Sequence, residues 1–272
     1  MRRPEREPTG LAVRVDSGLA ALVPDPARPG GRILLLDGVE QSYVDVTDPT
    51  YLHFDYVRRM ASVIDTATPA GAPLRALHLG AGGLTLPRFV AATRPGSTQR
   101  VVDRDAELVE LVRRALPAPA GDPTIVIADA RAAVESASDA GFDLVLGDVY
   151  RAARMPGHVA TAQFAAQVAR VLRPDGLFVV NLTDLPPLAF SRTQVATLRH
   201  VFADVCLIAD RRMVRGRQHG NVVLAAARRA GRLPVDRLAA RAARDPVPGR
   251  VLHGADLAAF AAGARPSFDP PA

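Results

Sequence analysis

Between residues 74 and 226 the chain alternates short apolar runs with helix-length segments, and this alternation limits its possible folds more than any other feature. The apolar runs fall at 74–79, 100–102, 125–128, 142–146, 177–182, 205–208 and 222–225. Helix-length stretches such as 106–116 and 163–172 separate them; in the second, Phe164, Val168, Val171 and Leu172 repeat with a helical period. Strands interleaved with helices in this way predict an α/β domain, doubly wound, with a mostly parallel sheet and helices on both faces. The link Arg173-Pro174-Asp175-Gly176 has the composition of a turn that stops one helix and launches the next strand.

The flanking segments read differently. Short apolar pieces at 19–23, 33–36 and 43–46 are broken by Pro, Gly and Asp, and Asp37-Gly38 is a hairpin signal between the last two. They predict a small N-terminal antiparallel β unit leading into a helix near 51–64. Beyond about residue 228 the chain is rich in Ala, Arg and Pro, which suits a short helix or two on the surface. The expected organisation is a β-hairpin region at 1–50, a nucleotide-binding domain at 51–227 and a C-terminal helical or irregular extension at 228–272.

Composition removes several function classes. The formal net charge is +6, and every cationic side chain apart from histidine is arginine. The arginines are spread along the chain and form no stripe interleaved with aromatics, so charge alone offers only non-specific attraction and no specific nucleic-acid site is expected. The lone cysteine, Cys206, sits in an apolar run; it can form no internal disulfide and no thiolate zinc site, so no metal is expected. No apolar stretch is long enough to span a membrane and residues 1–10 are polar, so a cytoplasmic protein without membrane partners is the expectation.

The chemistry concentrates where strands end. The first apolar run leads into Leu79-Gly80-Ala81-Gly82-Gly83, where Gly80 and Gly82 would let the backbone approach a ligand that a Cβ would obstruct. In an open α/β sheet, ligands bind beyond the carboxyl ends of the strands. Asp103 ends the second strand about twenty residues later, where an acid can accept both hydrogen bonds of a ribose diol. Asp105 fits a helix N-cap. After the third strand Asp129 could either cap the next helix or accept the amino group of an adenine. Asp148, after the fourth, could act as general base or hold a cationic amine.

These residues resemble the spermidine synthase family, the polyamine aminopropyltransferases, over about residues 33 to 226. Leu36-Asp37-Gly38-Val39-Glu40-Gln41 is similar to the family's LDGxxQ hairpin, whose glutamine contacts bound nucleotide or product. The segment 78–83 corresponds to its glycine turn, Asp103 to its ribose acid, Asp129 to the acid near adenine, and Asp148 to the first acid of its D-S/A-S-D-P signature. The resemblance implies a Rossmann-like, class I methyltransferase fold. It also implies a donor bound at Gln41, Gly80, Gly82, Gly83, Asp103 and Asp129, and Asp148 as the residue that deprotonates the attacking amine. The donor, a co-substrate, would be decarboxylated S-adenosylmethionine or S-adenosylmethionine. Tyr51, His53, Tyr150 and Arg151 are expected on the substrate side. The acceptor would be a small-molecule amine or another nucleophile, and a homodimer is expected because the family commonly pairs protomers.

The sequence also departs from that pattern. The signature's second acid falls on Arg151, the late Tyr-Pro-Ser-Gly segment is replaced by residues 213–221, and Tyr51-Leu52-His53 matches the family's Tyr-His/Gln-Glu triplet only loosely. Arg151 or Arg154 would suit a donor that keeps its carboxylate, or an acidic acceptor. Transfer of aminopropyl or another alkyl group therefore stands beside methyl transfer to a non-polyamine acceptor, and beside a non-catalytic nucleotide-binding homologue. An NAD-dependent oxidoreductase is disfavoured, because Thr85 occupies the third glycine position of G-x-G-x-x-G.

Overall fold

A computed structural model describes residues 11–67, 69–118, 121, 123–150 and 154–271. Two sheets organise the described residues. The first is an antiparallel meander of β1 (Leu11–Val15), β2 (Gly18–Asp25), β3 (Arg28–Leu36) and β4 (Val39–Asp45). Asp37 and Gly38 turn the last hairpin, both with positive φ, and Asp37 accepts the Leu19 N–H at 2.8 Å, which ties that turn to β2.

The second sheet is doubly wound and mostly parallel. Helix α1 (Asp55–Ala67) precedes it. Then follow β5 (Arg75–Leu79), α2 (Thr85–Thr93), β6 (Thr98–Asp103), α3 (Ala106–Ala115), β7 (Thr124–Ile127), α4 (Ala130–Glu135) and β8 (Phe142–Gly147). Beyond them come α5 (Ala162–Val171), β9 (Leu172–Asp184), α6 (Ala189–Val201), β10 (Asp204–Asp210), α7 (Arg211–Val214) and β11 (Gly220–Ala227). The chain closes with α8 (Val235–Arg244), β12 (Gly249–Leu252) and α9 (Gly254–Phe260). The strand order is β12-β10-β11-β9-β8-β5-β6-β7. From β7 to β9 neighbours are parallel, while β11 runs antiparallel to both β9 and β10. The order reverses between β5 and β8, which is the switch point at which such sheets bind ligands.

Both faces of this sheet are buried, so its strands are apolar at nearly every position. Along β8 and β9, Val145, Phe178 and Val180 face α5 and α6, whereas Leu144, Leu146, Leu177 and Val179 face α1 and α2. Cys206 lies fully buried on the second face, where burial pushes its thiol up to about 12, so it serves as a small apolar filler. A third core joins the two sheets: Ala20, Leu22, Leu34 and Val44 pack with Ala81, Leu84, Val101, Val109 and Val112. The N-terminal sheet is thereby fastened over the glycine turn and α3.

Three local expectations shift. The first helix starts at Asp55, with 51–54 outside any helix or strand ahead of it. The Arg173–Gly176 segment, expected as a turn, lies inside β9, where pairing with β8 skips from Phe142↔Leu172 to Leu144↔Leu177. Beyond residue 228 the chain adds a strand as well as helices: β12 pairs with β10 and covers the sheet's edge. Among the described residues no helix is long and apolar enough to cross a membrane, and no cluster of three or more potential metal ligands is present.

Candidate functional site

The glycine turn emerges from the centre of the sheet with its ladder bonds still running. The Gly80 N–H donates to Val102 O and the Asp148 N–H to Leu79 O, both at 2.8 Å, so the loops after β5, β6 and β8 stay in contact past the strand ends. Gly80 has φ +97°, and a Cβ there would lie 2.3 Å from the main-chain oxygen of Asp148. Only glycine lets these two rims meet. Gly82 is also left-handed, but its nearest neighbour would be Ser42 at 3.5 Å. Gly83 lies under β4 and its N–H donates to Ser42 Oγ at 3.1 Å. The first turn of α2 is fixed by the same strand, since the Thr85 hydroxyl donates to Tyr43 O.

Asp103 reaches from the end of β6 into this turn. Its Oδ2 accepts the Ala81 N–H at 2.7 Å and its Oδ1 the Asp105 N–H at 2.9 Å. A carboxylate has about four acceptor positions, so roughly two remain for a diol. Burial raises the Asp103 carboxyl from its ordinary value, and the backbone donors partly offset this. Asp105 caps α3 through Leu108 N–H. Asp129 caps α4, with Oδ1 accepting from Arg131 N–H and Ala132 N–H. Its Oδ2 faces His158 Nε2 at 2.9 Å, so one oxygen serves the helix while the other meets an exposed, exchangeable partner.

Asp148 lies one residue beyond β8, at the switch point. Asn181 Nδ2 donates to its Oδ1 at 2.8 Å and the Tyr56 hydroxyl to its Oδ2 at 3.3 Å. Burial pushes its carboxyl up to about 6, against the pull of those two donors. Burial, and then the nearby Asp148 charge, hold Tyr56 well above the ordinary phenol range, so it remains a donor. Tyr150 joins the same network: its hydroxyl donates to Asn181 O at 3.1 Å and accepts from Thr183 at 3.2 Å. Asn221 on β11 donates to Asn181 Oδ1 at 3.1 Å. The result is one partly desolvated carboxylate, proton-poised near neutrality, held by two neutral donors, Tyr56 from α1 and Asn181 from β9, with Tyr150 and Asn221 bonded behind Asn181.

The N-terminal sheet closes the site from above. Pairing between β3 and β4 runs Leu34↔Ser42 and then Leu35↔Glu40, so Gln41 is the extra residue of a β-bulge, exposed and one position from the Ser42–Gly83 contact. Bulges next to a binding site commonly re-aim a side chain. Tyr51 and His53 lie in a line of rings rather than at Asp148 itself. His53 stacks on Tyr43 at 4.6 Å and Tyr51 meets the same ring edge-on at 5.7 Å. Phe54 follows His53 at 5.1 Å and stacks with Tyr56 at 6.0 Å, so the line ends on the hydroxyl that holds Asp148. Arg28 covers the far end, 3.7 Å above Tyr51.

Thus Gly80, Asp103 and Asp148 converge, with Gly83 under β4 beside them, Gln41 lies exposed in the bulge next to Ser42, and Asp129 stands one strand farther out at the rim. Arg151 lies outside the described residues. Tyr56, Asn181, Asn221 and Ser42 were not read from the sequence; Tyr56 had the nearest signal, lying three positions after His53. The C-terminal segment braces the outer rim, because Arg131 forms a two-pronged pair with Asp269 at 2.7 and 2.6 Å and also donates to His158 O. Replacing Asp269 with Ala is expected to lower the melting temperature and loosen the His158 turn, read as faster amide exchange at 156–160.

No family model matches the chain. A curated relative, a polyamine aminopropyltransferase from Vibrio vulnificus, is 26% identical over 157 residues, 56% of this chain and 50% of that protein, so the match spans half the curated relative's length. A crystal structure of a probable spermidine synthase from Corynebacterium glutamicum superposes with a TM-score of 0.88 at 28% identity, covering 98% of each chain. Human methyltransferase-like protein 13, solved in complex with SAH, shares the fold at TM-score 0.55 and 20% identity, over 70% of this chain and 89% of that one. The chain is thus similar to spermidine synthases in sequence and in fold, and it shares the class I methyltransferase fold.

Proposed function

We propose that this chain transfers an alkyl group, aminopropyl in the first instance, from an adenosylsulfonium donor to an amine acceptor. The observation that carries the reading is Asp148, a partly desolvated carboxylate at the switch point whose main chain touches the Gly80 turn. The curated relative and the Corynebacterium structure support the class of reaction, and the SAH complex of the human protein supports an adenosyl sulfur ligand on this fold.

The residues supply positioning and one proton transfer. The spare acceptor positions of Asp103 suit the ribose hydroxyls. Asp129 Oδ2 could exchange His158 for the adenine amino group, and the exposed Gln41, one residue from the Ser42–Gly83 contact, is the candidate to contact the nucleotide from its bulge. An amine lone pair attacks the carbon bound to sulfur, and the C–S electrons stay with the departing neutral thioether. For that lone pair to be free, Asp148, whose carboxyl at about 6 is ionised at neutral pH, first takes the proton of the bound acceptor ammonium. A sulfonium already leaves well, so holding donor and acceptor in line is the main contribution.

Calorimetric titration with S-adenosylmethionine, its decarboxylated form, methylthioadenosine and NAD tests this. Binding of an adenosyl sulfur compound but not NAD is expected, and preference between the two sulfonium donors decides aminopropyl against methyl transfer. Absence of binding to every adenosyl sulfur compound would sink the proposal. Asp103→Asn is expected to weaken that binding by at least about tenfold, since a charge-assisted pair to a hydroxyl contributes about 1.5–3 kcal/mol.

A further inference from the structure

We propose that the acceptor of this chain carries an oxyanion, a carboxylate or phosphate, beside its reacting amine, and that arginines on the β10–β11 connection select it. The inference rests on the transferase reading and names its substrate class.

The strand order separates the two sides of the site. The glycine turn and Asp103 follow β5 and β6, which places the donor on one side of β8. On the other side lie β9, β11 and β10. Because β10 is parallel to β9, its carboxyl end, the short helix α7 and the start of β11 all stand at the ligand end of the sheet. Asn221, at that start, reaches Asn181, which holds Asp148. The β10–β11 connection is therefore the wall on the acceptor side.

That wall is cationic. Arg211, Arg212, Arg215 and Arg217 are all exposed, and none has a carboxylate partner among the described residues. Asp210, the one acid of this stretch, is spent on capping α7 through Arg212 N–H and Met213 N–H. Asp184, at the end of β9, is buried and accepts from Ser191 N–H and Oγ. Within the hydrogen-bonded network of Tyr56, Tyr150, Asn181, Thr183 and Asn221, Asp148 is the only carboxylate. A diamine brings two cations; Asp148 can meet one, and the second would face arginines. An amine with an oxyanion at its other end satisfies both walls. Exposed arginines each contribute little, but the four share one short connection, and guanidinium matches carboxylate and phosphate geometry.

The test uses the full chain saturated with methylthioadenosine. Putrescine is compared with 5-aminopentanoate, which has the same length with a carboxylate replacing one amine, and with phosphoethanolamine. At least one of the two anionic amines is expected to bind about tenfold or more tighter than putrescine, with the advantage shrinking as salt rises. The double variant Arg215→Glu/Arg217→Glu is expected to reverse the preference while leaving methylthioadenosine binding unchanged. Equal or tighter binding of putrescine, a preference unmoved by charge reversal, or binding of none of the amines while methylthioadenosine binds would each overturn the assignment. Failure of methylthioadenosine to bind the wild-type chain would instead remove the transferase reading.

Discussion

Replacing Asp148 with Asn is expected to abolish turnover and, at the same time, to stabilise the protein above pH 7. Loss of a positioned base costs about 10²–10⁴ in rate. The stability effect has the opposite sign because burial lifts the Asp148 carboxyl to about 6, from an unfolded value of 3.8. Between these values the folded chain binds more protons than the unfolded one, so stability falls as pH rises through that window and stays reduced above it. Two units correspond to about 3 kcal/mol as an upper bound. The Asn variant escapes this cost, so its melting temperature should exceed the wild type's by several degrees at pH 8 and match it near pH 4. For the wild type, kcat/KM should rise with pH up to about 6 and then level. Full activity in the variant, or a stability difference independent of pH, would remove Asp148 from its role.

The second large effect concerns the two left-handed glycines, which the structure makes unequal. Gly80→Ala places a Cβ 2.3 Å from a main-chain oxygen at φ +97°, and nothing flexible lies there to yield. Backbone strain and overpacking of this kind cost about 1–3 kcal/mol each, so a loss of about 3–5 kcal/mol is expected, together with loss of adenosyl binding as the rims of β5 and β8 part. Gly82→Ala meets only Ser42, at 3.5 Å, and its φ of +47° costs about 1–2 kcal/mol. Denaturant melts of the two variants decide the matter: comparable midpoints would show that the close approach at Gly80 is not what requires glycine.

How much of this was readable follows from which contacts are local. The doubly wound sheet was legible because strands buried on both faces must be apolar throughout and must alternate with helices. Asp103 and Asp148 were legible because each directly follows an apolar run. Asp129 left two readings open, and one carboxylate leaves room for both: one oxygen caps α4 while the other meets the exposed His158. Tyr56, Asn181 and Asn221 were silent because they lie 92, 33 and 73 positions from Asp148 in sequence. Strand pairing brings the two asparagines together and the packing of α1 on the sheet brings Tyr56, and an Asn inside an apolar strand looks like noise until its neighbour is known. The strand β12 was hidden by its Arg- and Ala-rich surroundings; as an edge strand it needs only one apolar face.

The seating of β4 on the glycine turn has a consequence for cooperativity. Ser42 holds Gly83, Thr85 holds Tyr43, and the core beneath them draws side chains from the meander and from the glycine turn, β6 and α3 alike. Opening the meander must therefore open the binding loop, and a ligand that stabilises the loop must slow amide exchange in β2, β3 and β4, strands it never touches. Occupancy of the site and integrity of the meander are two readings of one equilibrium.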